Sequence, residues 1–181
     1  ESVLLDLLAP AARLLGEQWQ SDLRTFTEVT VGLGVLQQVV HVLGPTFAPT
    51  LPHRGLVVLV AAQAEQHTLG LYLVGEFLRR SGWGVQVTPN LAESDLLDQV
   101  ASEPVEAVGI SVSNPDLLRS VGRLIAALRK ASCNPSMSIL LGGPIDLTEF
   151  AALHGVQVCS ADPQDAVRCL EQHARRSRAI S

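Results

Sequence analysis

The sequence predicts an α/β fold: five parallel strands with helices on both faces, preceded by a small helical cap. Three observations predict it. From residue 55 to residue 175 short apolar runs alternate strictly with segments of helical period, and such alternation gives a parallel sheet wrapped by helices. The first of these runs, Leu56-Val57-Val58-Leu59-Val60, is apolar at every position, as a strand covered on both faces has to be. The stretch Gly44-Pro45-Thr46-Phe47-Ala48-Pro49-Thr50-Leu51-Pro52 carries three prolines. It stops any helix and separates a helical part from the alternating part.

The helical part covers residues 1–46 and the α/β part residues 55–181. Val3, Leu4, Leu7, Leu8, Ala11, Leu14 and Leu15 mark the apolar stripe of a first helix. Phe26, Val29, Leu33, Leu36, Val40 and Leu43 form a seam stepping by three and four in a second. Two helices make a poor core. The chain also opens at Glu1, without Met and already in helical phase, as expected of a truncated piece of a longer protein.

In the second part Leu56–Ala62 reads as a buried strand and Leu69–Arg80 as a helix. Gly84–Thr88 is a strand ended by Pro89, and Ser94–Ser102 a helix with Ser94 suited to cap it. Ala107–Val112 is a strand, and Asp116–Lys130 a helix entered after Asn114-Pro115. Ser138–Leu141 is a strand closed by Gly142-Gly143-Pro144, followed by a short helix over Leu147–Leu153. Val156–Cys159 is the last strand, and Pro163–Arg175 the last helix, with proline in its first turn. Five strands of this length suit a flavodoxin-like (Rossmann-like) order. Ligands then bind beyond the carboxyl ends of the strands, where the strand order reverses.

Composition narrows the function. The chain has 181 residues, 47% hydrophobic and only 17% charged, with a mean hydropathy of +0.27; disordered chains are far more polar. A net charge of −5 argues against direct nucleic-acid binding. The Leu56–Ala62 run is seven residues, far short of a membrane span. Cys133, Cys159 and Cys169 are odd in number and contain no CxxC spacing, which excludes a zinc site or disulfide framework and suits the reducing cytoplasm. The Arg175-Arg176-Ser177-Arg178 cluster reads as a solvated tail, and His41 and His154 as structural or solvated. Gly32 and Gly34 suit close helix packing or room for a macrocycle.

The loops after the strands hold the candidate chemistry. After the first strand comes Glu65-Gln66-His67-Thr68-Leu69-Gly70. A carboxylate two residues from a histidine can take its Nδ1–H and leave Nε2 for a metal; equally, a histidine in a polar loop can be merely solvated. Ser111-Val112-Ser113 follows the third strand, and Gly142-Gly143, which admits close approach to the backbone, follows the fourth. Forty residues separate Gly70 from Ser111, and twenty-eight separate Ser113 from Gly142.

This spacing resembles the signature of cobalamin-binding domains: Asp-x-His-x-x-Gly, about forty residues, Ser-x-Leu, just under thirty residues, Gly-Gly. The resemblance implies His67 as axial metal ligand, Glu65 as the carboxylate that orients it, and Gly70 as the loop glycine. It implies Ser111 and Ser113 as a hydroxyl wall and Gly142 and Gly143 as the floor of a channel for the cofactor's nucleotide tail. Glu65 stands where the family has Asp, and Ser113 where it has Leu. Leu15-Gly16-Glu17-Gln18-Trp19 resembles the Gly-x-x-Trp segment of the helical cap in cobalamin photoreceptors. After nine further residues, however, Val29-Thr30 replaces their Glu-His, which disfavours a light switch of that type.

With Thr25-Phe26-Thr27-Glu28-Val29-Thr30 and the Glu65-Gln66-His67 loop, the chain is most similar to the cobalamin-domain variant called SCHIC, a sensor containing haem instead of cobalamin. That resemblance implies haem, or alternatively cobalamin, bound through His67 beneath Trp19. It also implies a transcriptional repressor of photosynthesis genes as partner, and a flavin-binding blue-light module in the same chain. The role expected is an antirepressor's, relaying redox, light or haem state. Two alternatives stand beside it, a corrinoid carrier for a methyltransferase or mutase and a ligand-free docking module. No Gly-x-Ser-x-Gly elbow, Walker loop or purposeful carboxylate pair occurs, so no enzyme is expected.

Overall fold

The structure, a computed structural model, describes residues 25–43, 54–63, 65, 68–159 and 162–180, with positions 7, 8, 10, 11, 14, 15, 18, 21 and 23 upstream. The chain divides into two compact units, Glu1–Ala48 and Pro49–Ser181.

In the first unit helix α1 spans Phe26–Leu43. Its start is a capping box. Thr25 Oγ1 accepts from the Glu28 N–H at 3.3 Å, and the Glu28 carboxylate accepts from the Thr25 N–H at 2.9 Å. Glu28, which adjoins the position of the photoreceptors' Glu-His, thus works as a helix cap. Of the predicted seam, Val29 is buried and Leu33 and Leu36 half-buried; the side chains of Phe26, Val40, His41 and Leu43 lie outside the described residues. A Cβ on Gly32 would come within 2.9 Å of Leu15 Cδ1, so that glycine serves close packing. Most of the predicted first helix lies outside the described residues, although Pro10, Ala11, Leu14, Leu15 and Gln18 are helical.

In the second unit the elements run β1 (Leu56–Ala61), α2 (Leu69–Arg80), β2 (Gly84–Val87), α3 (Glu93–Ser102), β3 (Val105–Ser111), α4 (Leu118–Ala131), β4 (Ser138–Gly142), α5 (Thr148–His154), β5 (Gln157–Val158) and α6 (Pro163–Ile180). The sheet is parallel throughout, in the order β2-β1-β3-β4-β5, which is the flavodoxin-like order expected. The chain winds outward from β1 in one direction and from β3 in the other, so the order reverses between these two strands.

Each face of the sheet holds its own core. Val58, Val60, Val108, Ile110, Ile139 and Leu141 pack against Leu96 and Val100 of α3 and Val121, Ile125 and Leu128 of α4. Val57, Leu59, Ala107 and Leu140 pack against Leu71 and Leu78 of α2 and Ala166 and Leu170 of α6. Alternate strand residues serve alternate faces, which is why the strands read as unbroken apolar runs. Each fully buried Leu or Ile contributes about 2 kcal/mol.

Several boundaries differ from expectation. Helix α3 starts at Glu93 with Ala92 at the cap, and Ser94 Oγ instead donates to Asp95 Oδ1 at 3.3 Å; Glu93 and Asp95 suit the positive end of the helix dipole. Asn114 Oδ1 accepts from the Asp116 N–H at 2.9 Å and opens a 3-10 turn, Pro115–Leu117, ahead of α4. β3 begins two residues early and stops at Ser111. β5 has two residues rather than four. α6 runs on to Ile180 rather than ending at Arg175, so the Arg175–Arg178 cluster read as a solvated tail is helical.

Candidate functional site

The carboxyl ends of β1, β3 and β4 lie side by side at the reversal point. Ala61 pairs with Ser111, and Ser111 with Gly142. These three residues form one row across the sheet. By strand alternation they look toward the α2 and α6 side, continuing the positions of Leu59 and Leu140. All three are small, and Ser111 and Gly142 are half-buried. Among the described residues, a Cβ on Gly142 would meet nothing within 4 Å, and the same holds for Gly70 in the first turn of α2. Packing against the described residues therefore demands neither glycine. Ala61 was not among the residues expected from the sequence. Its signal was only a small side chain closing an apolar run.

Hydrogen bonds join the loops beyond this row. The Ala62 N–H donates to the Ser111 carbonyl at 2.9 Å, and the Val112 N–H to the Gly142 carbonyl at 2.8 Å. Glu65 is buried, and its Oε2 accepts from the Ser113 N–H at 2.6 Å, across 48 residues of sequence. A charge-assisted bond of this length is a strong one, and it ties the histidine loop to the serine loop. The second glycine of the pair has a different task. A Cβ on Gly143 would lie 1.8 Å from the Val112 carbonyl oxygen, so only glycine lets the β4 loop close on the β3 loop.

Farther along the β4 loop, Asp146 Oδ1 accepts from the N–H of Thr148, the first residue of α5, at 2.9 Å. The Thr148 backbone and side-chain hydrogen bonds hold the Asp146 carboxyl below its usual value. Gln66, His67 and Trp19 lie outside the described residues. The structure thus brings Glu65, Ser111, Ser113, Gly142 and Gly143 together at one end of the sheet. Gly70 follows in the first turn of α2, and Thr68, half-buried, stands at that helix's cap.

Residues 55–168 match the family model of the B12 binding domain. The chain belongs to the B12-binding domain family. This B12-binding domain is similar over 94% of its length to the Methanosarcina barkeri monomethylamine corrinoid protein, covering 82% of that chain at 15% identity with a TM-score of 0.76. It is similar over 90% of its length to a cobalamin-binding protein from Desulfitobacterium hafniense, covering 77% of that chain at 19% identity with a TM-score of 0.61. At these identities the likeness is one of fold. A 20.5 kDa protein of the bchF-crtJ intergenic region of Rhodobacter capsulatus is 29% identical over 148 residues, 80% of this chain and 77% of that protein.

The residues present in this B12-binding domain fit a corrinoid. Ala61, Ser111 and Gly142 are small, and among the described residues no atom lies within 4 Å of a Gly142 Cβ, which leaves a ligand room to approach the backbone there. An imidazole nitrogen, as His67 carries, is a fitting donor for a transition metal such as cobalt. Cobalamin, the alternative to haem in the sequence reading, is the ligand for which the matched family is named.

Proposed function

We propose that this chain is a corrinoid-binding domain, non-catalytic by itself, that holds cobalamin at the carboxyl ends of β1, β3 and β4 and presents it to a partner protein. His67 would hold the cobalt through an imidazole nitrogen. Ser111, Gly142 and Ala61 would line the place for the nucleotide tail, with Gly70 as the loop glycine. When bound, the corrinoid would supply a cobalt centre able to exchange a ligand and change oxidation state; the chain's own residues would bind and orient it. Glu65 holds the β1 loop to the Ser113 main chain. The observation that carries the reading is the family match coinciding with the open row of small residues where the strand order reverses.

The test is an absorption titration with hydroxocobalamin and, separately, with haemin. The account expects a saturable cobalamin shift that is lost in His67→Ala. A haemin Soret shift that depends on His67, with no response to cobalamin, would instead establish the haem-sensing reading.

A second reading concerns the role of the loaded domain. The similar, uncharacterised protein of the bchF-crtJ intergenic region is the observation that sets regulation of photosynthesis genes through a transcriptional repressor beside the corrinoid-carrier reading. Binding of that repressor to its operator, measured with and without the cobalamin-loaded chain, separates the two. Release of the repressor from DNA supports regulation. Unchanged binding, together with methylation of the bound cobalt by a methyltransferase partner, supports a carrier.

A further inference from the structure

Ten residues apart in sequence, Cys159 and Cys169 are brought together at the outer edge of the sheet. Cys159 immediately follows edge strand β5, and its N–H donates to the Leu141 carbonyl at 2.8 Å, which holds its backbone in the ladder. It is 8% exposed. Cys169 lies on α6, half-buried, with its Sγ 4.0 Å from the carbonyl oxygen of Val158, the residue just before Cys159. Both side chains belong to the core between the sheet and helices α2 and α6. The neighbouring Cys169 thiol, with burial, pushes Cys159 well above the ordinary thiol range. The Cys159 thiol, aided by the Arg168 charge and opposed by burial and by Asp165, brings Cys169 down to about 7. The pair is thus asymmetric, with a partly accessible thiol that ionises near neutrality and a buried thiol behind it. That is the arrangement of an attacking and a resolving cysteine.

We propose that Cys159 and Cys169 are a thiol-disulfide exchange site that reacts with low-molecular-weight disulfides and closes to a reversible intramolecular disulfide. The Cys169 thiolate attacks one sulfur of the small disulfide, breaking its S–S bond and releasing one thiolate. The Cys159 thiol passes its proton to that released thiolate. The Cys159 sulfur then attacks Cys169 Sγ, forms the Cys159–Cys169 bond and expels the second small thiolate. Two protein thiols are oxidised, and one small disulfide is reduced to two thiols. The product links the end of edge strand β5 to α6. Cys133, exposed beyond the end of α4, takes no part.

The test uses the whole chain incubated with oxidised glutathione, followed by alkylation of the remaining thiols, digestion and mass spectrometry. The expected product has lost two hydrogens, yields a linked Cys159–Cys169 peptide, leaves Cys133 alkylatable, and returns to the dithiol with dithiothreitol. The rate of Cys169 modification should rise as pH is raised through about 7. Cys159→Ser should halt at a glutathione adduct on Cys169. Persistence of both thiols in the unsubstituted chain, or a disulfide that involves Cys133, would overturn the proposal. So would a stable glutathione adduct on Cys169 while Cys159 is present. The peptide map of the unsubstituted chain decides the matter even where a variant fails to fold.

Discussion

Glu65 shows what one methylene can do. Its carboxylate reaches the Ser113 N–H at 2.6 Å from a buried position, which gives the longer side chain at the family's Asp position a task of its own. Glu65→Ala should cost about 2 kcal/mol in urea unfolding, since it leaves a part-buried N–H without its charged partner. Glu65→Gln, which keeps an acceptor, should cost about 1 kcal/mol. Equal losses in the two variants would show that the charge plays no part. Gly143→Ala should be the harsher change, on the order of 3 kcal/mol, because the new carbon collides with the Val112 carbonyl. Gly142→Ala should leave stability nearly unchanged, and a matching loss there would refute the distinction between the two glycines. At this scale the sequence showed which residue types stand at the strand ends. It could not show that Glu65 bonds to a main-chain group 48 residues away, because nothing local encodes that pairing.

Among the elements, α2 carries the least expected interaction. Glu76 is 1% exposed in a helix whose neighbouring positions pack on the sheet. Its carboxylate is held by Arg80, Nε to Oε1 at 3.1 Å, with Arg79 at 3.8 Å. Removing one partner of a buried pair strands the other charge. Arg80→Ala should therefore destabilise the fold by about 3 kcal/mol in thermal or urea unfolding, whereas Glu76→Gln should cost less. The reverse ranking would place the pair's worth elsewhere. The helices and strands themselves were legible because their periods differ, and α2 was expected over its observed span. Their ends were less so: Ala92 rather than Ser94 caps α3, because charges in the first turn can serve where a capping hydroxyl does not. The Thr25–Glu28 capping box is readable as a Thr-x-x-Glu pattern.

For the whole molecule, the decisive feature is that both faces of the sheet are covered by helices of the unit Pro49–Ser181. A chain of residues 49–181 should therefore fold alone and melt in a single cooperative transition; a broad, non-cooperative melt would show that the helical unit completes the core. Strand order, parallel direction and the reversal point all followed from the alternation of elements. The ligand did not, since corrinoid and haem both ask for one axial imidazole, and it took the family match over residues 55–168 to favour the corrinoid. The account rests on a nitrogen of this chain reaching cobalt. The most direct measurement is the electron paramagnetic resonance spectrum of one-electron-reduced cobalamin bound to uniformly nitrogen-15-labelled protein. The account predicts that the nitrogen superhyperfine pattern changes from triplets to doublets on labelling and that His67→Ala abolishes the change. Triplets that persist in the labelled protein would show the cofactor's own base on the metal and contradict the account.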